Sequence, residues 1–285
     1  MTKTRELKRL LEFEGTGVHS GKGVRCRLLP DTSFRGVRFL LPGGSPRLAD
    51  PFTASTPNST VLEWEGKRVA TVEHLLAVLH LLRYRGVMVE VQGGELPILD
   101  GSALPYLAAL SDPAVFSTGE EEDPCPCPSP LRVQEGEGWA EYSPGGPFRV
   151  EYRIRFPHPA IGELSWCGEL NEETFGREIA PARTFGFLKQ AQELRKRGLA
   201  LGASLENTVV LDDQGPLSPL RFPDEYVRHK VLDLLGDLFY LGGGLTGAWR
   251  VFRGGHSLHL ALVRGLLAPP SGPLVSGAPP SQVGA

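Results

Sequence analysis

The chain of 285 residues is poor in sulfur-containing residues, with two methionines and four cysteines. No two cysteines have the CxxC spacing of a zinc knuckle or a redox pair. Cys125 and Cys127 are separated by a single proline, which makes them too close and too rigid for an ordinary zinc site. We therefore expect Cys26, Cys125, Cys127 and Cys167 to be free thiols. Any bound metal should then be held by histidine and carboxylate side chains.

The sequence also has no excess of one charge and no long apolar run. The net charge is −3 with acids and bases interspersed, which gives no electrostatic argument for nucleic acid or a polybasic membrane anchor. The first nine residues are basic, but the apolar segment of a signal peptide does not follow them. No apolar run is long enough to span a bilayer. We expect a cytoplasmic protein without stable membrane insertion and without a nucleic-acid partner.

The length and composition predict a globular protein of two domains. Apolar residues make up 41% and charged residues 22% of the chain, as in ordinary soluble proteins. Residues 113–130 are charged and rich in proline, without periodicity, and predict a linker. The two domains are then expected at residues 1–112 and 131–267. Residues 268–285 are rich in Pro, Gly, Ser and Ala and predict a disordered tail.

Each half of the sequence contains several predicted strands followed by a strongly apolar helix. In the first half this helix begins near Thr71, a plausible N-cap residue. In the second half it spans residues 227–238. Because the strands cluster and do not alternate singly with helices, the pattern predicts a duplicated α+β unit and not a doubly wound parallel sheet.

The helix of the second half carries a row of polar side chains. His229 and Asp233 are four residues apart, and Asp237 continues the row one turn later. A neutral imidazole and a carboxylate at this spacing could hold a divalent metal, although an ordinary surface pair has the same spacing. The helical position alone directs Lys230 away from this row.

The apolar helix of the first half begins with Glu73 and His74. Burying a charge without a partner is costly, so this pair at the mouth of a buried helix favours a functional role. The alternative is a glutamate that complements the helix dipole and a satisfied core histidine. His19, in a glycine-rich turn, is either a surface residue or a ligand or substrate contact. We expect His80 to be structural.

Together the candidates meet the requirements of metal-assisted hydrolysis, provided that the two halves face each other. A catalytic zinc takes three protein ligands and leaves one position open. Such a set is available in His74, His229 and Asp233. Glu73 could accept a proton from water, whose pKa such a metal lowers toward about 7. His256 could protonate the leaving group, and Asp237 could keep His256 protonated.

Seven ordered segments of the sequence carry a resemblance to a known family. They are GTGVHSG (15–21), TVEHLL (71–76), ELPILDGS (95–102), HPAI (158–161), ARTFGF (182–187), EYVRHKVLDLLGD (225–237) and GHS (255–257). On these segments the chain resembles the UDP-3-O-acyl-N-acetylglucosamine deacetylase family, the zinc amidases that commit bacteria to lipid A synthesis. The resemblance runs from about residue 5 to residue 266.

The resemblance implies a role for each matching residue. The implied zinc ligands are His74, His229 and Asp233. The implied catalytic residues are Glu73 as general base, His256 as general acid, Asp237 as its support, Lys230, and Thr184, which polarises the scissile carbonyl. The implied substrate contacts are Phe185 and Lys230, and Arg253 could supply further positive charge.

The resemblance also implies a fold and a substrate. The family fold is two α+β sandwich domains, similar to domain 2 of ribosomal protein S5, packed face to face with helices between the sheets. Residues 187–212 match a strand–helix–strand insert that forms a tunnel for a fatty acyl chain. The implied substrate is UDP-3-O-(3-hydroxyacyl)-N-acetylglucosamine, which loses its N-acetyl group. We expect a monomer.

Two alternatives stay open. The family often carries a lysine, associated with the nucleotide end, where this chain has Ser143. The same chemistry could therefore act on a different acetylated sugar nucleotide. The chain could also be a non-catalytic protein that binds a sugar nucleotide or acyl chain and keeps the metal for structure. Against that alternative, a structural zinc is more often bound by four protein ligands, whereas the candidate set here has three. The acyl length and the choice of zinc or ferrous iron stay open.

Overall fold

The computed structural model describes residues 2–44, 47–48, 55–56, 59–123 and 129–268. Cys125, Cys127 and the predicted tail beyond Ala268 lie outside the described residues. We call the residues up to 123 the first half and those from 129 onward the second half. Among the described residues, no helix combines the length and the apolar character needed to cross a bilayer.

The first half consists of eleven strands and two helices within the described ranges. The strands are β1 (Thr2–Leu7), β2 (Leu11–Thr16), β3 (Gly23–Pro30), β4 (Val37–Leu40), β5 (Arg47–Leu48), β6 (Ser55–Thr56), β7 (Ser59–Trp64), β8 (Lys67–Ala70), β9 (Tyr84–Arg85), β10 (Val87–Gln92) and β11 (Phe116–Glu122). The helices are α1 (Glu73–Leu81) and α2 (Leu104–Leu110).

The second half consists of seven strands and four α-helices within the described ranges. The strands are β12 (Leu131–Glu135), β13 (Gly138–Ser143), β14 (Arg149–Arg155), β15 (Glu163–Glu169), β16 (Phe185–Phe187), β17 (Val209–Leu211) and β18 (Ala248–Phe252). The helices are α3 (Glu172–Thr174), α4 (Leu188–Lys196), α5 (Glu225–Leu238) and α6 (His256–Leu267), with a π-helix at Phe175–Ile179 and a 3-10 turn at Phe239–Leu241.

The two halves build five-stranded sheets of the same topology. The strand orders are β2-β3-β10-β4-β5 and β12-β13-β18-β14-β15. In each sheet the third and fourth strands are parallel and the other neighbours are antiparallel. One helix precedes the third strand along the chain, α1 or α5, and another follows it, α2 or α6. The predicted α+β class and the predicted duplication are confirmed.

The strands form because their apolar residues alternate, which buries one face of each sheet. In β14 the buried residues are Val150, Tyr152 and Ile154, and the residues between them are exposed or half-buried. In β10, Val89 and Val91 follow the same alternation. The buried faces are covered by helices, so both sheets contribute to one apolar core.

Helices α1 and α5 cross each other between the halves. Eight of the nine residues of α1 and twelve of the fourteen residues of α5 are buried. A Cβ at Gly236 of α5 would lie 2.3 Å from the backbone carbonyl oxygen of Glu73. Only glycine permits this approach, which brings the first turn of α1 against the C-terminal part of α5.

Part of the predicted linker is a strand. Residues 116–122 form β11, which pairs antiparallel with β1 at the edge of a three-stranded sheet. The prediction of a linker over all of 113–130 is therefore wrong for these residues. Charged residues are typical of edge strands, which need not alternate, so the stretch gave no strand signal. The domain boundaries themselves stay a prediction.

Candidate active site

The three predicted metal ligands come together where α1 meets α5. His229 and Asp233 lie one turn apart on α5, with His229 Nε2 3.3 Å from Asp233 Oδ1. The His74 ring of α1 is perpendicular to the His229 ring, with centroids 5.1 Å apart. One ligand atom from each of the three side chains lies within 4.8 Å of the others. The two halves thus face each other as the hydrolytic hypothesis requires.

The protonation of these side chains suits a divalent cation. Burial and the neighbouring His229 lower the pKa of His74 to about 3. Burial also lowers the pKa of His229, whose Nδ1 lies 3.1 Å from the Ala182 carbonyl oxygen and leaves Nε2 facing Asp233. Burial alone would raise the pKa of Asp233, but Lys230 and the nearby histidines hold it below its ordinary value. Two neutral imidazoles and an ionised carboxylate are the donors that such a cation requires.

Lys230 reaches this cluster, contrary to the expectation from its helical position. Its Nζ donates to Asp233 Oδ2 at 2.7 Å. A lysine has four methylene groups, so its ammonium group can lie far from the direction in which its Cβ points. The prediction that Lys230 points away from His229 and Asp233 is therefore wrong.

Glu73 and His256 face each other beside the cluster. Burial, with the nearby carboxylates, raises the pKa of Glu73 to about 7. Burial alone would lower the pKa of His256, but the charge and hydrogen bond of Asp237 raise it to about 9. His256 Nδ1 lies 2.8 Å from Asp237 Oδ2, and its Nε2 lies 3.9 Å from Glu73 Oε1. A carboxyl group that titrates near neutral pH and a protonated imidazole suit general base and general acid.

The side chains behind Asp237 were not predicted from the sequence. The Thr60 hydroxyl donates to Asp237 Oδ1 at 2.5 Å, from 177 residues away along the chain. His259 Nδ1 lies 2.8 Å from Asp237 Oδ2, and its Nε2 lies 2.9 Å from the Tyr152 hydroxyl. The spacing of His256 and His259 on one helix could have indicated His259. Nothing in the local sequence indicates Thr60.

A cavity of about 300 Å3 opens over these groups. The predicted site residues that line it are Glu73, His74, Thr184, Phe185, His229, Lys230, Asp233 and His256. Asp237 is fully buried behind His256. Arg253 is not among the described residues that line the cavity, and its guanidinium group pairs with Glu137.

The insert supplies an apolar wall to the same cavity. Strands β16 and β17 pair in parallel and are joined by α4, which gives the strand–helix–strand order. The lining side chains of this insert include Phe187, Ala191, Leu194 and Val210. The cavity therefore combines a polar end at α1 and α5 with an apolar end at the insert.

Glu95 holds the glycine-rich turn at the edge of the cavity. It accepts hydrogen bonds from the backbone N–H groups of His19 (2.8 Å) and Ser20 (3.0 Å) and from the Thr71 hydroxyl (3.2 Å).

Thr71 is not the N-cap of α1, contrary to the prediction from the sequence. Val72 occupies that position, and Thr71 has a φ of 59°. His19 lines the cavity, which favours a substrate contact over a surface role.

A buried ion pair anchors the segment that carries Thr184. Glu225, the first residue of α5, accepts hydrogen bonds from Arg183 Nε (2.9 Å) and from the backbone N–H groups of Arg183 (3.0 Å) and Arg221 (2.7 Å). The pair ties the residues before β16 to the start of α5. It thereby fixes Thr184 and the Ala182 carbonyl group, which contacts His229, relative to the cluster.

The chain is similar to known proteins over nearly its whole length. The LpxC family model, described as UDP-3-O-acyl N-acetylglycosamine deacetylase, matches residues 4–268. Similar proteins named UDP-3-O-acyl-N-acetylglucosamine deacetylase occur in Pasteurella multocida (38% identity over 277 residues, 94% of this chain and 91% of the relative) and Myxococcus xanthus (37% over 274 residues, 94% and 87%). The resemblance found in the sequence is confirmed, and the chain belongs to the UDP-3-O-acyl-N-acetylglucosamine deacetylase family.

Proposed function

We propose that this enzyme hydrolyses the acetamide of UDP-3-O-(3-hydroxyacyl)-N-acetylglucosamine, the committed step of lipid A biosynthesis. The products are acetate and the free 2-amino group. One observation carries the proposal: a buried set of two histidines and an aspartate lies next to Glu73 and His256 in one cavity. Relatives that span nearly the whole chain bear the name of this activity.

The proposed cofactor is zinc, held by His74, His229 and Asp233. When bound, it would polarise the acetyl carbonyl group and lower the pKa of a water molecule toward about 7. Lys230 would keep Asp233 ionised and oriented through its 2.7 Å hydrogen bond. The hydrogen bond from His229 Nδ1 to Ala182 would keep Nε2 available as the ligand atom.

Glu73 acts as the base in the proposed mechanism. Its Oε2 accepts the backbone N–H of Thr60 at 3.1 Å, so Oε1 is left to take a proton from the attacking water. The water oxygen then bonds to the acetyl carbon, and negative charge develops on the carbonyl oxygen. Thr184 lines the cavity and is the proposed donor to that oxygen.

His256 acts as the acid. With a pKa of about 9 it is protonated at neutral pH, and its Nε2 faces the cavity. As the C–N bond breaks, this nitrogen donates its proton to the leaving amine, which would otherwise be a poor leaving group. The proton taken up by Glu73 balances the one given by His256, and one water is consumed.

The two ends of the cavity suit the two ends of this substrate. The apolar side chains of Phe187, Leu194 and Val210 would contact the acyl chain, and Phe185 and Lys230 would contact the sugar nearby. His19 is a further proposed substrate contact. Arg253 would have to exchange Glu137 for the diphosphate of the substrate, so its role depends on that rearrangement.

The proposal is tested by acetate release from the acylated UDP-sugar, before and after chelation and after addition of zinc or ferrous iron. We expect activity to be lost with the chelator and restored by zinc. Equal turnover of unacylated UDP-N-acetylglucosamine would favour a different sugar nucleotide as substrate. Failure to release acetate from any UDP-amidosugar with zinc bound would favour a non-catalytic binding protein.

We further propose that the enzyme is a cytoplasmic monomer. Light scattering after size-exclusion chromatography should then give a mass near 30.9 kDa. A mass of twice that value would contradict the monomer.

A further inference from the structure

We infer that Thr60 is a positioning residue that sets the orientation of both Glu73 and His256. The inference rests on the proposed function, in which these two residues are base and acid. Thr60 is 1% exposed and lies in β7, which forms a hairpin with β8. Two residues connect the end of β8 to Glu73, the first residue of α1. Thr60 thus lies where this hairpin of the first half meets the polar side chains of α5 and α6.

The backbone of Thr60 acts on the base. Its N–H group donates to Glu73 Oε2 at 3.1 Å. Because that oxygen is occupied, the other oxygen, Oε1, faces His256 Nε2 at 3.9 Å. This contact would survive any change of the Thr60 side chain.

The hydroxyl group of Thr60 acts on the acid. It carries one proton, which it donates to Asp237 Oδ1 at 2.5 Å. Its oxygen therefore presents a lone pair to His256 Nδ1, 3.0 Å away, which also contacts Asp237 Oδ2 at 2.8 Å. Held by two acceptors at Nδ1, the His256 ring keeps Nε2 turned toward Glu73 and the cavity. The Thr60 side chain thus orients the Asp237 carboxylate and the His256 imidazole together, while its backbone N–H orients Glu73.

The test is to replace Thr60 by Val, which suits a strand and puts a methyl group of similar size in place of the hydroxyl. Removing a group that supports a site residue in this way typically costs about 10- to 100-fold in activity. We expect this loss in kcat for the acylated UDP-sugar, with little change in KM, because Thr60 does not line the cavity. Thr60→Ser restores the hydroxyl and should recover most of the loss.

Thr4→Val is the matched control. Thr4 is a buried threonine in a strand, and its hydroxyl also donates one hydrogen bond, to the Glu120 carbonyl oxygen at 2.9 Å. It lies in β1, which belongs to a different sheet from β7, the strand of Thr60. It should keep the wild-type kcat. Zinc content is measured for all variants and should not distinguish Thr60→Val from Thr4→Val. Melting temperature verifies that each variant is folded at the temperature of the assay.

A double-mutant cycle with His256→Ala separates positioning from a general structural effect. If the hydroxyl acts by orienting the His256 ring, directly and through Asp237, Thr60→Val should have little further effect on kcat once that ring is removed. Full additivity of the two losses would overturn the inference. So would wild-type kcat in Thr60→Val, and that result would leave the proposed function intact. A wild-type protein that releases no acetate would refute the proposed function and, with it, the inference.

Discussion

The two halves of the molecule share a sheet topology, yet they contribute to the site in different ways. The first half places Glu73 and His74 in the first turn of α1, and apart from His80 the rest of that helix is apolar. The second half places His229, Asp233 and Asp237 on successive turns of α5, from its second turn to its last. The equivalent helices cross at Gly236, and one site forms at the crossing. Duplication of the fold has therefore produced one composite site and not two equivalent ones.

The halves also differ in what is inserted before the equivalent helix. In the first half, β7 and β8 precede α1, and this hairpin brings Thr60 to the acid and base. In the second half, β16, α4 and β17 precede α5, and this insert supplies the apolar wall. The shared topology builds the frame, and the two unlike insertions supply orientation on one side and substrate contact on the other.

The largest expected effect is on metal binding by the second half. In His229→Ala one of the two ligands on α5 is removed, and we expect the purified protein to lose its zinc and its deacetylase activity. Elemental analysis gives the metal content. One full equivalent of zinc remaining in this variant would contradict the assignment of His229 as a ligand.

Glu73→Gln should separate the role of Glu73 as base from the role of its neighbour His74 as metal ligand. The amide keeps the size and the Thr60 hydrogen bond but cannot take a proton, and a general base typically contributes about 10^2- to 10^4-fold. We expect kcat to fall by that amount while zinc remains bound. Steady-state kinetics and metal analysis are done on the same preparation. Near-wild-type turnover would remove Glu73 from the mechanism.

The buried ion pair between Arg183 and Glu225 anchors the residues before β16 to α5. Burial alone would raise the pKa of Glu225, but hydrogen bonds from Arg183 and Arg221 lower it below its ordinary value of 4.5. A lowered folded pKa means that the ionised group stabilises the fold above pH 4.5 and loses this effect as pH falls through the folded value. Breaking such a pair costs about 3–5 kcal/mol.

Glu225→Gln should therefore lower the free energy of unfolding at pH 7 by that amount, and the difference from the wild type should shrink below pH 4.5. Urea denaturation at a series of pH values measures both effects. Glu163→Gln is the control, because its pair with Arg155 is solvent-exposed and worth at most about 1 kcal/mol. A pH-independent difference would show that the Glu225 charge does not stabilise the fold.

The sequence predicted those parts of the site that a single helix determines. The helical repeat fixes His229 relative to Asp233, and adjacency fixes Glu73 relative to His74. The meeting of the two pairs came from the family resemblance, because spacing within one helix says nothing about another. Thr60 was missed for the same reason: its partner Asp237 is 177 residues away. The direction predicted for Lys230 from its helical position was wrong, because the end of a long flexible side chain need not point where its Cβ points.

The smallest expected effect lies in the insert, which has no equivalent of the same structure among the described residues of the first half. Leu194→Asp places a charge on the apolar wall of the cavity, so binding of the acyl chain should weaken. We expect KM for the acylated UDP-sugar to rise about 10- to 200-fold, as for other losses of apolar pocket contact, with kcat little changed. Leu205→Asp is the control, because Leu205 is 50% exposed and does not line the cavity. Equal effects of the two substitutions would mean that the insert does not bind the acyl chain, and the difference between the two insertions would then concern stability alone.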